Sequence, residues 1–214
     1  MSDPRQQVID TARAMNAQGI NRGAAGNVSV RAEQGGRPGF LITPTGMAYA
    51  ALGPDDIAFV GLDGECVGRR APSSEWRLHR DLYVARPEAG AVLHAHSPFA
   101  TALACLRLEI PPFHYMIARF GGETIRCADY ALFGTQALSD AMGVALAGRS
   151  ACLLANHGMV LFADDLTGAL DRAVELEALC EQYWRARQLG QPVLLSAEEM
   201  REVAEQFRDY GRQP

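Results

Sequence analysis

Along residues 4–17 the apolar positions Val8, Ile9, Ala12 and Met15 recur every three or four residues in an otherwise polar stretch, the period that places side chains on one face of an α-helix. Asp3 offers an N-cap, Pro4 suits the first helical position and Gly19 supplies a stop, so the pattern predicts a helix with both ends marked. The period then changes. Residues 27–30 (NVSV), 40–43 (FLIT) and 57–62 (IAFVGL) are short β-rich runs parted by Gly-containing turns, and LDGE at 62–65 carries a hairpin signal. Helical spacing returns at 74–86 and again after Pro98, with the apolar strand AVLHAH at 91–96 between them. Residues 135–148 read as a helix, 151–163 as two strands meeting at 156–158, and 165–189 as a long amphipathic helix. The segment 196–211 opens on a capping box of Ser196 and Glu199. Helices interleaved with short strands predict an α/β domain on one central mixed or antiparallel sheet. With no linker-like stretch, repeat or composition break, residues 1–214 read as one domain.

Composition removes several function classes. The chain carries 20 basic against 25 acidic residues for a net charge of −5, and no basic block tracks a nucleic-acid backbone. Hydrophobic residues make up 48% of the chain but are dispersed, and no run approaches the roughly 20 apolar residues of a membrane span. The first 15 residues lack the basic and apolar regions of a secretory signal, and the five cysteines are odd in number, widely spaced and without a C-x-x-C pair. Both features lead us to expect reduced thiols and a cytoplasmic location. All 20 basic residues are arginine, so lysine Schiff-base chemistry is excluded.

The histidines hold the candidate chemistry. On a strand ending at AVLHAH, His94 and His96 project from the same side, which suits either a pair of metal ligands or two hydrogen-bonded strand imidazoles. His157, in the turn between two apolar runs, adds a third imidazole, and three imidazoles with an open fourth position form the composition of a catalytic zinc site. His79 follows Glu75 by one helical turn and reads as a buried residue orienting that helix; His114 reads as supporting or structural. In APSSEWRLH, Ser73, Ser74 and Glu75 stand where a helix begins. Their placement fits either helix capping or anion binding by hydroxyls and free N–H groups. The turns GAAGNVSV and TPTGMAY are ordinary β-turn chemistry one at a time, and together with the serines they supply donors for one anionic group.

Seven segments, GNVSVR, ITPTGMAY, PSSEWRLH, VLHAHS, HYMIA, YALFGT and NHGMV, taken in this order, resemble the class II aldolase/adducin family over residues 12–210. The resemblance implies a three-layer α/β domain around a mainly antiparallel sheet, assembled as a homotetramer with sites between subunits. It implies that His94, His96 and His157 hold a catalytic Zn²⁺, with Mn²⁺ or Co²⁺ also suited to imidazole donors. Glu75 becomes the acid/base near the metal and a possible fourth ligand without substrate. Gly26, Asn27, Thr45, Gly46, Ser73 and Ser74 become the cradle of a substrate phosphate. Tyr115 and Tyr210 match tyrosines that serve the aldehyde oxygen across the subunit boundary, and Phe133 matches an apolar wall. Asn156 departs from the aldolases most similar in motif, which tend to have histidine there.

The implied activity is that of a lyase: cleavage of a ketose 1-phosphate to dihydroxyacetone phosphate and a small aldehyde, with a divalent metal acting as Lewis acid on the charge that develops. Ribulose-5-phosphate 4-epimerase runs related chemistry but typically carries Asp where Glu75 stands. Sugar-phosphate dehydratases and decarboxylases would keep the histidines and alter the acid/base and the tyrosines. An adducin-like binding module would be expected to lose ligand histidines, and this chain has all three.

Overall fold

The structure, a computed structural model, describes residues 3–209. Helix α1 (Pro4–Ala17) begins as its sequence predicts, with the Asp3 side chain accepting from the Arg5 N–H and Val8, Ile9, Ala12 and Met15 buried. The chain then builds four antiparallel strands, β1 (Asn27–Gln34), β2 (Arg37–Ile42), β3 (Ala58–Gly61) and β4 (Cys66–Val67). It continues through α2 (Trp76–Ala85), β5 (Ala91–Ala95), α3 (Pro98–Cys105), β6 (Cys127–Ala128), α4 (Gln136–Ala145), β7 (Ala151–Leu154), β8 (Gly158–Ala163), α5 (Leu166–Leu189) and α6 (Ala197–Asp209). The eight strands form one sheet in the order β4-β3-β2-β1-β5-β8-β7-β6. All neighbours are antiparallel except β6 and β7, so the expected mixed, mainly antiparallel sheet is what forms.

Helices cover both faces. Ala91, Leu93 and Ala95 of β5 pack with α1, α3 and α5, whereas Val92 packs with Leu78, Leu82 and Tyr83 of α2 and Leu138 and Met142 of α4. Two covered faces explain why β5, β7 and β8 are buried at every position and read as apolar runs rather than alternating ones. His94 follows the strand period onto the α2 face, where it is fully buried. The Arg31 guanidinium ties the end of α2 to β1 by donating to the carbonyls of Tyr83, Arg86 and Ala89 at 2.8–3.0 Å, holding that helix in register above the strand.

Three local features differ from the sequence reading. Strand β6 has only two residues, too few for any periodic signal. Residues Tyr115–Phe120 form a 3₁₀ turn, whose short tight spacing lacks the helical period. At the start of α2 the N-cap is Glu75 and no side chain caps the helix; Ser73 instead accepts the Glu75 N–H at 3.3 Å through its hydroxyl. No described helix is long and apolar enough to cross a membrane.

Candidate metal centre and active site

The sheet brings together residues far apart in sequence. β1, β5 and β8 are adjacent, with Asn27 opposite His94 and Ala95 opposite Met159, so the end of the HAH segment, the turn carrying His157 and the N-terminus of α2 converge. The three imidazoles stand edge to face, with ring centroids 4.8–4.9 Å apart and planes at 69–76°. His94 Nε2 lies 3.0 Å from His96 Nε2 and 3.1 Å from Glu75 Oε2, and His157 Nε2 lies 3.2 Å from Glu75 Oε1. Ligand atoms of all four residues fall within 4.8 Å of one another.

This donor set fits a divalent cation. Zn–N bonds of about 2.0–2.1 Å in a tetrahedral site place neighbouring donors about 3.3 Å apart, close to the 3.0–3.2 Å spacings here. The Met159 carbonyl, 2.8 Å from His94 Nδ1, accepts the ring proton there and leaves Nε2 as a lone pair facing the cluster. At most one proton fits between the facing nitrogens of His94 and His96. Glu75 Oε1 is buried without a hydrogen bond, its approach to His157 lacking hydrogen-bond geometry, and an unpaired buried carboxylate oxygen is costly unless a cation or a proton meets it.

The carboxylate and the imidazoles also perturb one another. Burial alone raises the Glu75 carboxyl, but His94 and His157 outweigh it and hold the group well below the ordinary carboxylate range. The same contact seen from the other side raises His94 against the effect of its burial. His96 is lowered to about 4, first by burial and then by His94 and His157, so it stands as a neutral, ligand-ready imidazole. Tyr49 is raised by burial and by the nearby Glu75 charge.

A cavity of about 400 Å³ opens beside the cluster, lined by Glu75, His96, His157, Ser74, Phe133 and Asn156 together with Ala25, Tyr130 and Ala131. Most of the wall away from the cluster is apolar. Asn156 has φ +55°, and its side chain turns toward Arg107, whose Nε donates to its Oδ1 at 3.0 Å, and toward the Cys105 carbonyl, to which it donates at 3.4 Å.

The six residues expected around a phosphate divide into two groups. Thr45 and Gly46 are exposed on a turn joined to the 71–74 segment, through Thr45 N–H to Ala71 and Ser73 N–H to Thr43 at 3.0–3.2 Å. Ser73 is buried at that junction and Ser74 is exposed. Gly26 and Asn27 are already occupied by protein partners. The Gly26 N–H donates to Asn21 Oδ1 at 2.9 Å and its carbonyl accepts from the Tyr49 hydroxyl, while an added Cβ would meet the His94 carbonyl at 2.5 Å. Asn27 donates from Nδ2 to Glu75 Oε2 at 2.9 Å and holds His79 through Oδ1. Sequence spacing does not single out Asn21, Tyr49 or His79 for this role; its one trace is His79, a helical turn after Glu75.

Tyr115 is half exposed and lines a different groove with Arg119 and Arg172, stacked over Phe207. A single copy of the chain does not place it in the histidine cavity. Tyr210 lies outside the described residues. His114 caps the 3₁₀ turn by accepting the Met116 N–H.

Residues 6–184 match the model of the Class II Aldolase and Adducin N-terminal domain. The 5-methylthioribulose-1-phosphate/5-deoxyribulose-1-phosphate aldolase of Rhodospirillum rubrum is 51% identical over 97% of this chain and 92% of its own length. The L-fuculose phosphate aldolase of Escherichia coli K12 is 44% identical over 96% of this chain and 94% of its own. Among solved structures, an L-fuculose 1-phosphate aldolase superposes with a TM-score of 0.91 at 38% identity, covering 97% of both chains.

Proposed function

The chain belongs to the class II aldolase and adducin family, and from that premise we propose that it is a Zn²⁺-dependent aldolase cleaving a ketose 1-phosphate reversibly to dihydroxyacetone phosphate and a small aldehyde. The observation that carries this reading is the carboxylate of Glu75, wedged 3.1–3.2 Å from two of three converging imidazoles at the mouth of a cavity. His94, His96 and His157 would hold the ion, and Mn²⁺ or Co²⁺ suits the same donors. When bound, the ion supplies Lewis-acid stabilisation of the negative charge that develops on substrate oxygen as the carbon–carbon bond breaks.

The protein's own groups do the rest. Glu75 moves a proton to or from the carbon of the dihydroxyacetone phosphate half. The turns bearing Thr45, Gly46, Ser73 and Ser74 receive the phosphate through hydroxyl and N–H donors, with Gly26 and Asn27 shaping the floor. Residues 1–214 act as one catalytic domain. In a homotetramer, Tyr115 and Tyr210 of a neighbouring copy would serve the aldehyde oxygen, which accounts for Tyr115 facing away from its own cavity. The apolar wall of Tyr130, Ala131 and Phe133 favours aldehydes with a short apolar tail. This matches the substrate names of the Rhodospirillum relative, and L-fuculose 1-phosphate belongs on the same panel.

Metal analysis with a coupled assay for dihydroxyacetone phosphate tests the reading over fuculose, rhamnulose, ribulose, 5-deoxyribulose and 5-methylthioribulose 1-phosphates, with ribulose 5-phosphate epimerisation as counter-test. His96→Ala is expected to lose the metal and the cleavage activity together; cleavage by a metal-free His96→Ala protein would sink the proposal.

A further inference from the structure

We infer that His79 is a positioning residue for the carboxylate of Glu75: acting through Asn27, it decides which carboxylate oxygen is tied down and which is free to carry the proton. This rests on the aldolase reading above. Hydrogen-bond direction carries the inference. Glu75, an ionised carboxylate, only accepts, so the Asn27 atom 2.9 Å from Oε2 is the amide nitrogen and the other is the carbonyl oxygen. His79 Nε2 lies 2.5 Å from that oxygen, which cannot donate, so Nε2 carries the ring proton. Nδ1 is then a bare lone pair, and the Ser29 hydroxyl at 2.7 Å donates to it. The Ser29 hydrogen is thereby committed, so the Tyr83 hydroxyl, 2.9 Å away, donates to Ser29.

Every donor in this chain points toward Glu75, from Tyr83 through Ser29, His79 and Asn27. The four side chains are 0–2% exposed, so water cannot replace a missing link, and a fully satisfied buried network holds a single orientation. Without the His79 donor, the Asn27 carbonyl has no anchor, and the amide can swing off the carboxylate and release Oε2. With it, Oε2 is held by the Asn27 amide, and Oε1, which lies 3.2 Å from His157 Nε2 but takes part in no hydrogen bond, is the oxygen that exchanges the proton. In the condensation direction Oε1 takes a proton from the carbon of dihydroxyacetone phosphate, and the electron pair of that C–H bond goes on to form the carbon–carbon bond.

Two isosteric variants separate positioning from packing. His79→Gln keeps an N–H near the Nε2 position, whereas His79→Asn places its amide near Nδ1 and leaves Asn27 without a donor. Both are expected to bind one Zn²⁺ per chain. For His79→Asn, kcat with 5-deoxyribulose 1-phosphate falls roughly 10–100-fold, KM moves less than about threefold, and His79→Gln recovers most of the loss. Exchange of the dihydroxyacetone phosphate C–H into D₂O without aldehyde falls in step with kcat. Equal losses in the two variants, a change in KM alone, or undiminished exchange in His79→Asn would each overturn the inference. Should His79→Asn not fold, Ser29→Ala releases the tautomer with a smaller volume change; it too must slow exchange. Independently of turnover, nitrogen NMR of histidine-labelled protein is expected to place the His79 proton on Nε2. A proton on Nδ1 overturns the positioning role even in an active enzyme. An Nε2 proton in a protein that cleaves no ketose phosphate overturns the aldolase reading instead.

Discussion

Glu177 lies on α5, far in sequence from the histidine cluster, yet its carboxylate receives the start of α3 just after His96. Oε2 accepts from the Ser97 hydroxyl at 2.6 Å and from the Ala100 N–H at 2.9 Å, and Oε1 accepts from the Phe99 N–H at 2.7 Å. Ser97 is the N-cap residue of α3 but makes no side-chain capping bond of its own, so a carboxylate from another helix satisfies the orphan donors there. Replacing Glu177 by glutamine keeps the volume and turns one acceptor into a donor that faces existing donors. One stranded buried N–H costs about 1–3 kcal/mol, and loss of charge from the surviving bonds adds about 1 kcal/mol, with up to about 1 kcal/mol more from the helix dipole. A sum near 3 kcal/mol, divided by an unfolding entropy of about 0.45 kcal/mol/K for a chain of this length, lowers Tm by about 7 °C. Because Ser97 adjoins His96, one of the residues proposed to hold the ion, zinc affinity is expected to fall roughly 10-fold or more as well. Thermal unfolding of the metal-free protein and competition with a zinc chelator measure the two effects. The neighbouring Glu175, 3.9 Å from Arg119 in a partly exposed pair, is the control, since such pairs contribute about 0–1 kcal/mol. A Glu177→Gln protein indistinguishable from Glu175→Gln in both measurements would refute the capping argument.

Two further perturbations follow. Gly26→Ala places a Cβ 2.5 Å from the His94 carbonyl and 3.2 Å from Ala95 Cα; neither backbone atom can yield cheaply, so β1 must move off β5 at a cost of about 1–3 kcal/mol, and a urea midpoint equal to that of the parent would contradict this. Acid sensitivity should trace partly to His79, whose buried ring is lowered to about 3 against an ordinary value of about 6.5. The folded protein keeps this imidazole neutral while the unfolded chain protonates it, so stability is lost as pH falls below 6.5, by about 2 kcal/mol at pH 5; metal-free His79→Gln should lack that portion of the difference between urea unfolding at pH 7 and at pH 5, and an unchanged difference would count against it.

What was legible in the sequence was whatever is local. Helix α1, with its cap, its Pro and its buried face, depends on residues within one segment, and so do the capping box of Ser196 and Glu199 and the turn that presents His157. Strand β6 and the 3₁₀ turn at Tyr115–Phe120 are too short to carry a period, and β6 exists only because β7 pairs with it. The site divides the same way. The identities of His94, His96, His157 and Glu75 stand out as residue types in distinctive segments, whereas Glu177 is one of three glutamates on α5, and only tertiary packing shows that it reaches α3.

The His79 network lies between these cases, and it shows how a non-local feature can leave a local trace. Glu75 and His79 are four residues apart at and after the start of α2, hence on one side of the helix, while Asn27 and Ser29 are two apart on β1, hence on one face of the strand. Each spacing alone reads as periodicity. Laid against each other by Arg31, which fastens the end of α2 to β1, the helical step of four and the strand step of two interdigitate as Glu75–Asn27–His79–Ser29. A polar residue at both matched positions of a helix and of a strand that share a buried face has no packing reason to be there, and its presence marks where the core has been given over to holding a carboxylate in place.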